Sequence, residues 1–144
     1  IFGEKEKKNF PKKTGLISIK GSKNLTTNLG IQIPTTKNFF FLAMPEDSTQ
    51  VIGVIGLCDF DDLEEFRHLG PWICAFIVRE DLRGVGIGRQ IISEIEHLAI
   101  SYGIETVYLW TEDQMEFYLK LGYGKFDELK KLNRHIHVMR KDLI

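Results

Sequence analysis

The stretch Arg83-Gly84-Val85-Gly86-Ile87-Gly88-Arg89 lies between an apolar run, 72–78, and a segment with helical periodicity that ends near Tyr102. Glycines let a backbone approach a bound anion closely and adopt turns that a Cβ atom would block. The first amides of a helix have no intrahelical partner and carry a partial positive charge. The flanking arginines can add charge-assisted hydrogen bonds. A strand, this loop and a helix therefore predict a site for a pyrophosphate or a similar anion.

The spacing of the glycines argues against two other phosphate-binding loops. A Walker A loop requires Lys-Ser or Lys-Thr directly after its last glycine, and no such pair follows Gly88. A dinucleotide fingerprint requires G-x-G-x-x-G, whereas the glycines here alternate at 84, 86 and 88. A nucleotide-binding fold stays open as an alternative, and it predicts stabilisation of the protein by NAD or ATP.

The elements around this loop predict an α/β domain with a mixed sheet. Strands are predicted at 16–19, 39–44, 51–60, 72–78, 104–110, 123–126 and 135–140, with 39–60 forming a hairpin. The strand 72–78 is nearly all apolar, which is typical of a central strand buried on both faces. A long helix is predicted over 86–102 and ends before Gly103. A shorter helix follows Thr111, which forms a capping box with Gln114.

The composition indicates an ordinary globular protein with its own hydrophobic core. The chain has 144 residues, of which 43% are hydrophobic and 27% are charged. We expect a flexible basic arm over 1–14, which is rich in lysine, and a single domain over 15–144. The net charge of −1 produces no field that favours nucleic acid or a membrane surface, so we expect neither as a partner. No membrane span or secretory signal is visible, so we expect a cytoplasmic protein.

Two cysteines and two neighbouring histidines are candidates for redox or metal chemistry. Cys58 and Cys74 each lie in an apolar run without CxxC spacing, and we expect two buried thiols in a reducing compartment. His135 and His137 are expected on the outward face of the last strand. Two imidazoles without a third ligand nearby make a poor metal site, so no metal is expected.

Two ordered motifs carry a resemblance to a known family. Arg83-x-x-Gly86-x-Gly88 after an apolar strand resembles motif A of the GNAT superfamily of acetyl-CoA-dependent N-acetyltransferases. Phe117-Tyr118-Leu119-Lys120-Leu121-Gly122-Tyr123 is similar to that superfamily's F/L-Y-x-x-L-G-F/Y segment. The resemblance covers roughly residues 39–140. It implies a GNAT-like mixed sheet, flanked by helices and splayed open between 72–78 and 104–110. The N-terminal part is expected to be short or incomplete, because few residues precede the hairpin.

The resemblance also implies a co-substrate, acetyl-CoA, and a set of residues around it. The backbone of Phe76, Ile77 and Val78 would meet the thioester and the pantetheine arm. The phosphates would meet the backbone of the loop, namely Arg83, Gly84, Val85, Gly86, Ile87, Gly88 and Arg89. Tyr118 matches the position of a general acid that protonates the departing thiolate. Without the motif, packing of this ring on the inner face of its helix would be the simpler interpretation.

The resemblance leaves the general base and the acceptor open. Cys74 occupies the strand position where many members carry a glutamate, and Glu64, Glu65 or Glu80 are alternatives. Thr111 or a neighbour stands in place of a frequent asparagine, which affects how pantetheine is held.

The run Thr111–Tyr123 is similar to the actin-type amino-terminal acetyltransferases, so a peptide or protein N-terminus is the favoured acceptor. The acidic segment 59–65 instead favours a small amine or polyamine. The missing glutamate favours a non-catalytic acyl-CoA-binding module as a third alternative. The oligomeric state is left open.

Overall fold

The computed structural model describes residues 17–21, 38–46 and 48–144, so the arm predicted for 1–14 lies outside the described residues. The described part of the chain contains one mixed seven-stranded sheet with the order β1-β2-β3-β4-β5-β7-β6. The strands are β1 (Ile17–Gly21), β2 (Phe39–Pro45), β3 (Gly53–Cys58), β4 (Trp72–Val78), β5 (Thr106–Thr111), β6 (Gly124–Lys131) and β7 (Arg134–Asp142). The helices are α1 (Ile87–Ser101) and α2 (Met115–Lys120), with short 3-10 turns at Glu64–Phe66 and Glu80–Leu82. This confirms the predicted α/β class and mixed sheet.

The sheet opens between its two central strands. β4 and β5 run parallel and share one register pair, Trp72 with Tyr108. Beyond this pair the strands separate toward their carboxyl ends, which confirms the predicted splay. The prediction that β4 is buried on both faces is wrong for its second half, where Ile77 is 60% exposed. The reason is that Ile77 lines an open cleft on this side of the strand.

A β-bulge in β4 reverses the alternation of its side chains. The register shifts between Val54 and Gly56 on β3, and Ala75 takes a φ of 51° on the opposite strand. Before the bulge, Trp72 and Cys74 belong to one core cluster. After it, Phe76 and Val78 pack against the other. The glycines of β3 allow this close approach, since a Cβ at position 53 would lie 2.8 Å from the carbonyl oxygen of Ile77.

Helix α1 covers one face of the sheet with the apolar stripe that its periodicity predicts. Its inward side chains, each at most 1% exposed, are Ile87, Ile91, Ile92, Ile95 and Ala99. Burial of each isoleucine contributes about 1.5–3 kcal/mol, so this stripe fixes the helix on the sheet. The helix ends as expected before Gly103, which has a φ of 78°. A second core cluster, on the other face, contains Trp72, Tyr108, Ile136 and Val138.

The two cysteines are buried, as expected, but they are not separate thiols. Cys58 and Cys74 are joined by a disulfide, with their Cα atoms 6.3 Å apart. The register pairs Cys58 with Trp72, so Cys58 and Cys74 are diagonal neighbours on one face of adjacent strands. The expectation of two free thiols was therefore wrong. The spacing of 16 residues does not reveal the pairing, because it depends on the register of β3 against β4.

The outermost hairpin is longer than its sequence indicates. β6 and β7 continue to a two-residue turn, in which Leu132 and Asn133 have φ values of 51° and 64°. Asn is common in such turns, but Leu is not, and β6 is too polar to show a clear alternation. None of the helices in the described residues is long and apolar enough to cross a membrane.

Candidate functional site

A cleft of about 490 Å³ lies along the second half of β4, where β5 no longer pairs with it. It is lined by Phe76, Ile77, Val78, Arg83, Gly84, Gly86, Gly88, Arg89, Gln114, Phe117 and Tyr118. The walls therefore come from the unpaired edge of β4, the glycine loop, the first turn of α1, and α2. The structure brings together residues from both sequence motifs, which lie about thirty positions apart.

The glycine loop presents an unobstructed row of backbone amides. Gly84 and Gly86 have φ values of 80° and 89°, which side chains disfavour, and a Cβ at either position would meet no atom within 4 Å. Gly86 is the N-cap of α1, and its carbonyl accepts the helix bond from the amide of Gln90 at 3.2 Å. The amides of Ile87, Gly88 and Arg89 precede that bond and have no intrahelical acceptor. Together with the helix dipole, these amides have the chemistry that an anion site requires.

Gly88 sets the width of the cleft beside this loop. A Cβ at this position would lie 3.4 Å from Cζ of Phe76 and 3.5 Å from Cζ of Phe117. One methyl group would just fit, and a larger side chain would close the passage between β4 and α2. Glycine therefore keeps the route open from the anion site toward the middle of the gap.

The two arginines of the loop differ in how they are held. The Nε of Arg83 donates a hydrogen bond to the carbonyl oxygen of Val78 at 3.0 Å, which fixes the guanidinium at the end of β4. Arg89 is exposed on the first turn of α1. Two other predicted residues do not line the cleft: Val85 is 62% exposed, and Ile87 is buried because it begins the apolar stripe. Only their backbone amides can take part in anion binding.

Tyr118 projects from α2 into the cleft between two other aromatic rings. Its ring centroid lies 5.1 Å from that of Phe117 and 5.8 Å from that of Tyr123, both with edge-on geometry. Burial raises the pKa of Tyr118 to about 12. The hydroxyl therefore stays protonated across the physiological range, in the form that can donate a hydrogen bond or a proton into the gap.

A buried ion pair holds the end of α2 that carries this ring. The ammonium of Lys141 on β7 donates to both carboxylate oxygens of Glu96, at 2.8 and 2.6 Å, and to the carbonyl oxygen of Leu121 at 2.8 Å. Glu96 is only 8% exposed. The Lys141 side chain thus links β7 to α1 and to Leu121 at the end of α2. These bonds fix the position of α2, and therefore of Tyr118, relative to the cleft.

Sequence reasoning missed two residues of the cleft as site residues, Gln114 and Phe117. Phe117 stands in the second motif, one residue before Tyr118, so the motif could have identified it. The prediction that Thr111 is the N-cap of this helix is wrong: Thr111 ends β5, and α2 begins at Met115 with Gln114 as its N-cap. The amide of Gln114 nevertheless donates to Oγ1 of Thr111 at 3.0 Å. The Gln114 side chain is turned into the cleft.

The segment after β3 carries a half-buried carboxyl group, that of Asp61. The indole Nε1 of Trp110 donates to the backbone oxygen of Asp61 at 3.0 Å. Trp110 lies on β5, two residues after Tyr108, the residue that pairs with β4. Burial raises the pKa of Asp61 to about 6, the charge of Asp62 adds to this shift, and Trp110 opposes it. Asp61 is thus anchored to β5 through Trp110, and its proton affinity is above that of an ordinary aspartate.

Two of the glutamates that the sequence offers as general bases, Glu64 and Glu65, are more exposed than Asp61. Glu64 and Glu65 are exposed, and they form ion pairs with Arg67 and Lys131. The pKa of Glu64 is lowered by hydrogen bonding from Arg67. The pKa of Glu65 is lowered by its own backbone amide and then by Lys131. Both carboxylates are therefore weaker bases than an ordinary glutamate.

Comparison with known proteins agrees with this geometry. Residues 20–123 match the acetyltransferase (GNAT) family. A GNAT acetyltransferase from Elizabethkingia anophelis, solved with acetyl-CoA bound, aligns over 88% of this chain and 97% of its own, with a TM-score of 0.62 and 16% identity. An aminoglycoside 6'-N-acetyltransferase, solved with coenzyme A, aligns over 74% and 73%, with a TM-score of 0.61 and 22% identity.

A short stretch also resembles a curated protein. It is 40% identical over 47 residues to mouse N-alpha-acetyltransferase 80, which is 33% of this chain and 15% of the mouse protein. The solved structures establish the shared fold, and the family match spans well over half of the chain. The chain accordingly belongs to the GNAT family of acetyltransferases.

Proposed function

We propose that this N-acetyltransferase transfers acetyl from acetyl-CoA to the α-amino group of a peptide or protein N-terminus by direct attack. One observation behind this acceptor class is the half-buried carboxyl of Asp61, a residue whose backbone oxygen accepts a hydrogen bond from Trp110 on β5 and whose pKa is raised to about 6. The 47-residue likeness to mouse N-alpha-acetyltransferase 80 supports the same class. Acetyl transfer itself follows from the family, and the acceptor is the new element.

The cleft has the chemistry that coenzyme A requires. The diphosphate would be held by the amides of the loop 83–89, with Arg83 fixed beside them by its bond to Val78. The space left free at Gly84 and Gly86 is what a phosphate group needs to reach those amides. The pantetheine arm would pass the narrow point at Gly88. When bound, the thioester supplies an activated acetyl group and a thiolate leaving group.

The unpaired edge of β4 would hold the reacting carbonyl. Phe76, Ile77 and Val78 lie after the bulge, where β5 has separated and backbone amides face the cleft instead of a neighbouring strand. Such preorganised amides stabilise the oxyanion that forms when an amine attacks, and they require no reorganisation at that moment. Tyr118, on the facing wall, holds a proton at its hydroxyl and donates it toward the leaving sulfur.

Asp61 takes the proton of the incoming ammonium, through water, before attack. An α-ammonium has a pKa of about 7.7–8.0 and a lysine about 10.4. The mismatch with a base of pKa about 6 is therefore about 2 units for the former and about 4 for the latter. At 1.36 kcal/mol per unit, deprotonating a lysine costs about 3–4 kcal/mol more. This difference favours a chain terminus over a lysine side chain.

One observation favours a second candidate, a small polyamine. Asp59, Asp61 and Asp62 cluster on the loop after β3, and burial raises the pKa of Asp59 as well. Such a group attracts cationic substrates. A preference for acidic peptides has weaker support from the structure, because Lys131 and Arg134 are already paired with Glu65 and Glu112.

Thiol release from acetyl-CoA, measured against a matched panel, tests the proposal. The panel contains acidic and neutral peptides with a free α-amine and no lysine, the same peptides α-acetylated with one lysine, spermidine, and an aminoglycoside. We expect turnover with the free α-amines. We also expect Asp61→Asn to lower kcat/KM for them and to remove the acidic limb of its pH profile. Glu64→Gln is the matched control, since that carboxylate is exposed and paired with Arg67. Turnover confined to the polyamine or to lysine peptides contradicts the proposed acceptor.

A further inference from the structure

We propose a binding site for a divalent transition cation of the Zn²⁺ type on the outer hairpin β6–β7, formed by Glu128, His135 and His137. The site lies outside the acetyl-transfer cleft, and none of the three residues lines that cleft. It is independent of the proposed acceptor. The premise that the two histidines have no third ligand nearby does not hold in the folded chain.

The register of the hairpin brings the three side chains onto one face. Glu128 pairs directly with His137 across β6 and β7, and His135 is two residues from His137 on the same strand. The intervening Ile136 points the other way and is buried in the second core cluster. Glu128 and His135 are seven residues apart in the chain, and only the turn at Leu132 and Asn133 places them together.

The donor atoms are close enough to share one ion. One ligand atom from each of the three side chains can be chosen so that all lie within 4.8 Å of one another. Nε2 of His135 is 2.7 Å from Oε2 of Glu128, and the imidazole centroids of His135 and His137 are 4.2 Å apart. Zn²⁺ bonds of about 2.0–2.2 Å in a tetrahedral site place ligand atoms roughly 3.3 Å apart. Small side-chain rotations therefore reach that geometry, and the partly exposed side chains of Glu128 and His135 are free to make them.

The chemistry of the donors selects the class of cation. Two imidazoles and one carboxylate suit Zn²⁺, Co²⁺, Ni²⁺ or Cu²⁺, whereas Mg²⁺ and Ca²⁺ prefer sites made of oxygen ligands. The fourth position of the tetrahedron faces solvent, so water would complete the coordination.

A nearby lysine opposes the cation and provides a sensitive control. Lys130 pairs with His135 across the hairpin, so its ammonium lies on the same face as the three ligands. Its positive charge weakens binding of a cation, and its removal should strengthen it. The bound ion would act as a cross-strand clip. His137 also pairs with Thr111 on β5, so the clip would sit beside the strand end that leads into α2.

Isothermal titration of the full chain with Zn²⁺, and with Co²⁺ followed by its visible absorption, tests the site. We expect one equivalent of each metal, a tetrahedral Co²⁺ spectrum, a rise in Tm with Zn²⁺, and no heat with Mg²⁺. His135→Ala, His137→Ala and Glu128→Gln should each lower the affinity at least about 10–100-fold, since removal of a ligand costs at least as much as loss of its outer-shell support. Lys130→Ala should raise it.

The other two histidines of the chain supply matched controls, His68→Ala and His97→Ala. Both side chains are exposed and lie far from the hairpin in sequence, so their removal should leave binding unchanged. The site is refuted if the three hairpin variants bind Zn²⁺ as tightly as the wild type. It is equally refuted if the affinity for Zn²⁺ is lost in His68→Ala or His97→Ala. It is also refuted if Co²⁺ shows an octahedral spectrum that Glu128→Gln does not alter.

Discussion

Replacement of Tyr118 by phenylalanine removes one hydroxyl from the cleft and tests how the leaving sulfur is stabilised. The pKa of Tyr118 is raised to about 12, whereas a thiol in water has a pKa of about 8.5. Complete proton transfer to such a thiolate is therefore uphill by about 3–4 units, or about 5 kcal/mol. A tyrosine this basic helps chiefly by donating a hydrogen bond as negative charge grows on sulfur, and the proton moves fully only as the carbon–sulfur bond breaks.

This limits the size of the expected effect. A hydrogen bond to a charged group contributes about 1.5–3 kcal/mol, which corresponds to a loss of roughly 10–150-fold in the rate of the chemical step. The upper end of general-acid effects, about 10⁴-fold, would require a better matched donor. The affinity for acetyl-CoA should be unchanged, because the uncharged thioester sulfur gains little from the bond. Tyr118 should cause no loss of rate on the alkaline side below about pH 11.

Single-turnover thiol release separates this step from product release, and calorimetry reports the affinity for acetyl-CoA. Tyr123→Phe is the matched control. It deletes the same hydroxyl from a ring 5.8 Å away that does not line the cleft. An unchanged single-turnover rate for Tyr118→Phe refutes the reasoning. So does an equal loss in Tyr123→Phe, which would mean that the effect comes from packing.

Three further predictions concern Asp61, the glycine loop and the buried ion pair. Because the pKa of Asp61 is about 6 in the fold and about 3.9 unfolded, the native state binds its proton more tightly, and stability falls as pH rises from about 4 through about 6. Asp61→Asn should therefore raise the free energy of unfolding at pH 7 by about 1 kcal/mol, after allowance for the partial exposure of Asp61, and it should lower activity. Urea titrations at pH 4 and pH 7 measure this free energy. Equal changes at the two pH values contradict the prediction. Gly86→Ala forces alanine to a φ of 89°, at a cost of about 1–2 kcal/mol, and should weaken the binding of coenzyme A as measured by calorimetry. Gly124→Ala is the control, because a Cβ at position 124 would meet no atom within 4 Å, and it should leave this binding unchanged. Lys141→Met leaves Glu96 buried without its partner, so it should lower the free energy of unfolding, measured in urea, by about 3–5 kcal/mol. Lys120→Met, at an exposed lysine, is the control. If Lys141→Met lowers this free energy by less than about 1 kcal/mol, the ion pair contributes little to stability.

The parts of the site that could be predicted are those whose chemistry is local. Gly84 and Gly86 adopt φ values that other residues avoid, so their role is visible in a short stretch of sequence. The stripe that starts at Ile87 follows from the helical repeat alone. The predicted bounds of β4, 72–78, agree with the structure, because an apolar run between turn residues defines its own ends.

The parts that escaped prediction all depend on how one strand lies against another. The disulfide between Cys58 and Cys74 needs the register of β3 on β4, and the cluster at Glu128 needs the turn of the outer hairpin. Asp61 follows the same rule. Its pKa is raised chiefly by burial, and the residue that holds its backbone in place, Trp110, is 49 residues away in the chain. No periodicity or motif contains this information, because a shift of one residue in register would move each of these side chains to another face.

The bulge at Ala75 connects the two functional halves of the gap. Without it, the alternation set by Trp72 and Cys74 would continue, and Phe76 would face the second core cluster instead of the side where α1 begins. With it, Phe76 and Val78 stand beside Gly88, while Ile77 is turned outward and is 60% exposed. The same distortion also occurs where β5 has left β4, so the amides around it are free on that edge. One inserted residue in β4 thus narrows the passage proposed for the pantetheine arm and exposes the backbone amides proposed as donors to the oxyanion. The close packing of Gly53 against the Ile77 carbonyl explains why β3 can follow this distortion only with glycine at that position.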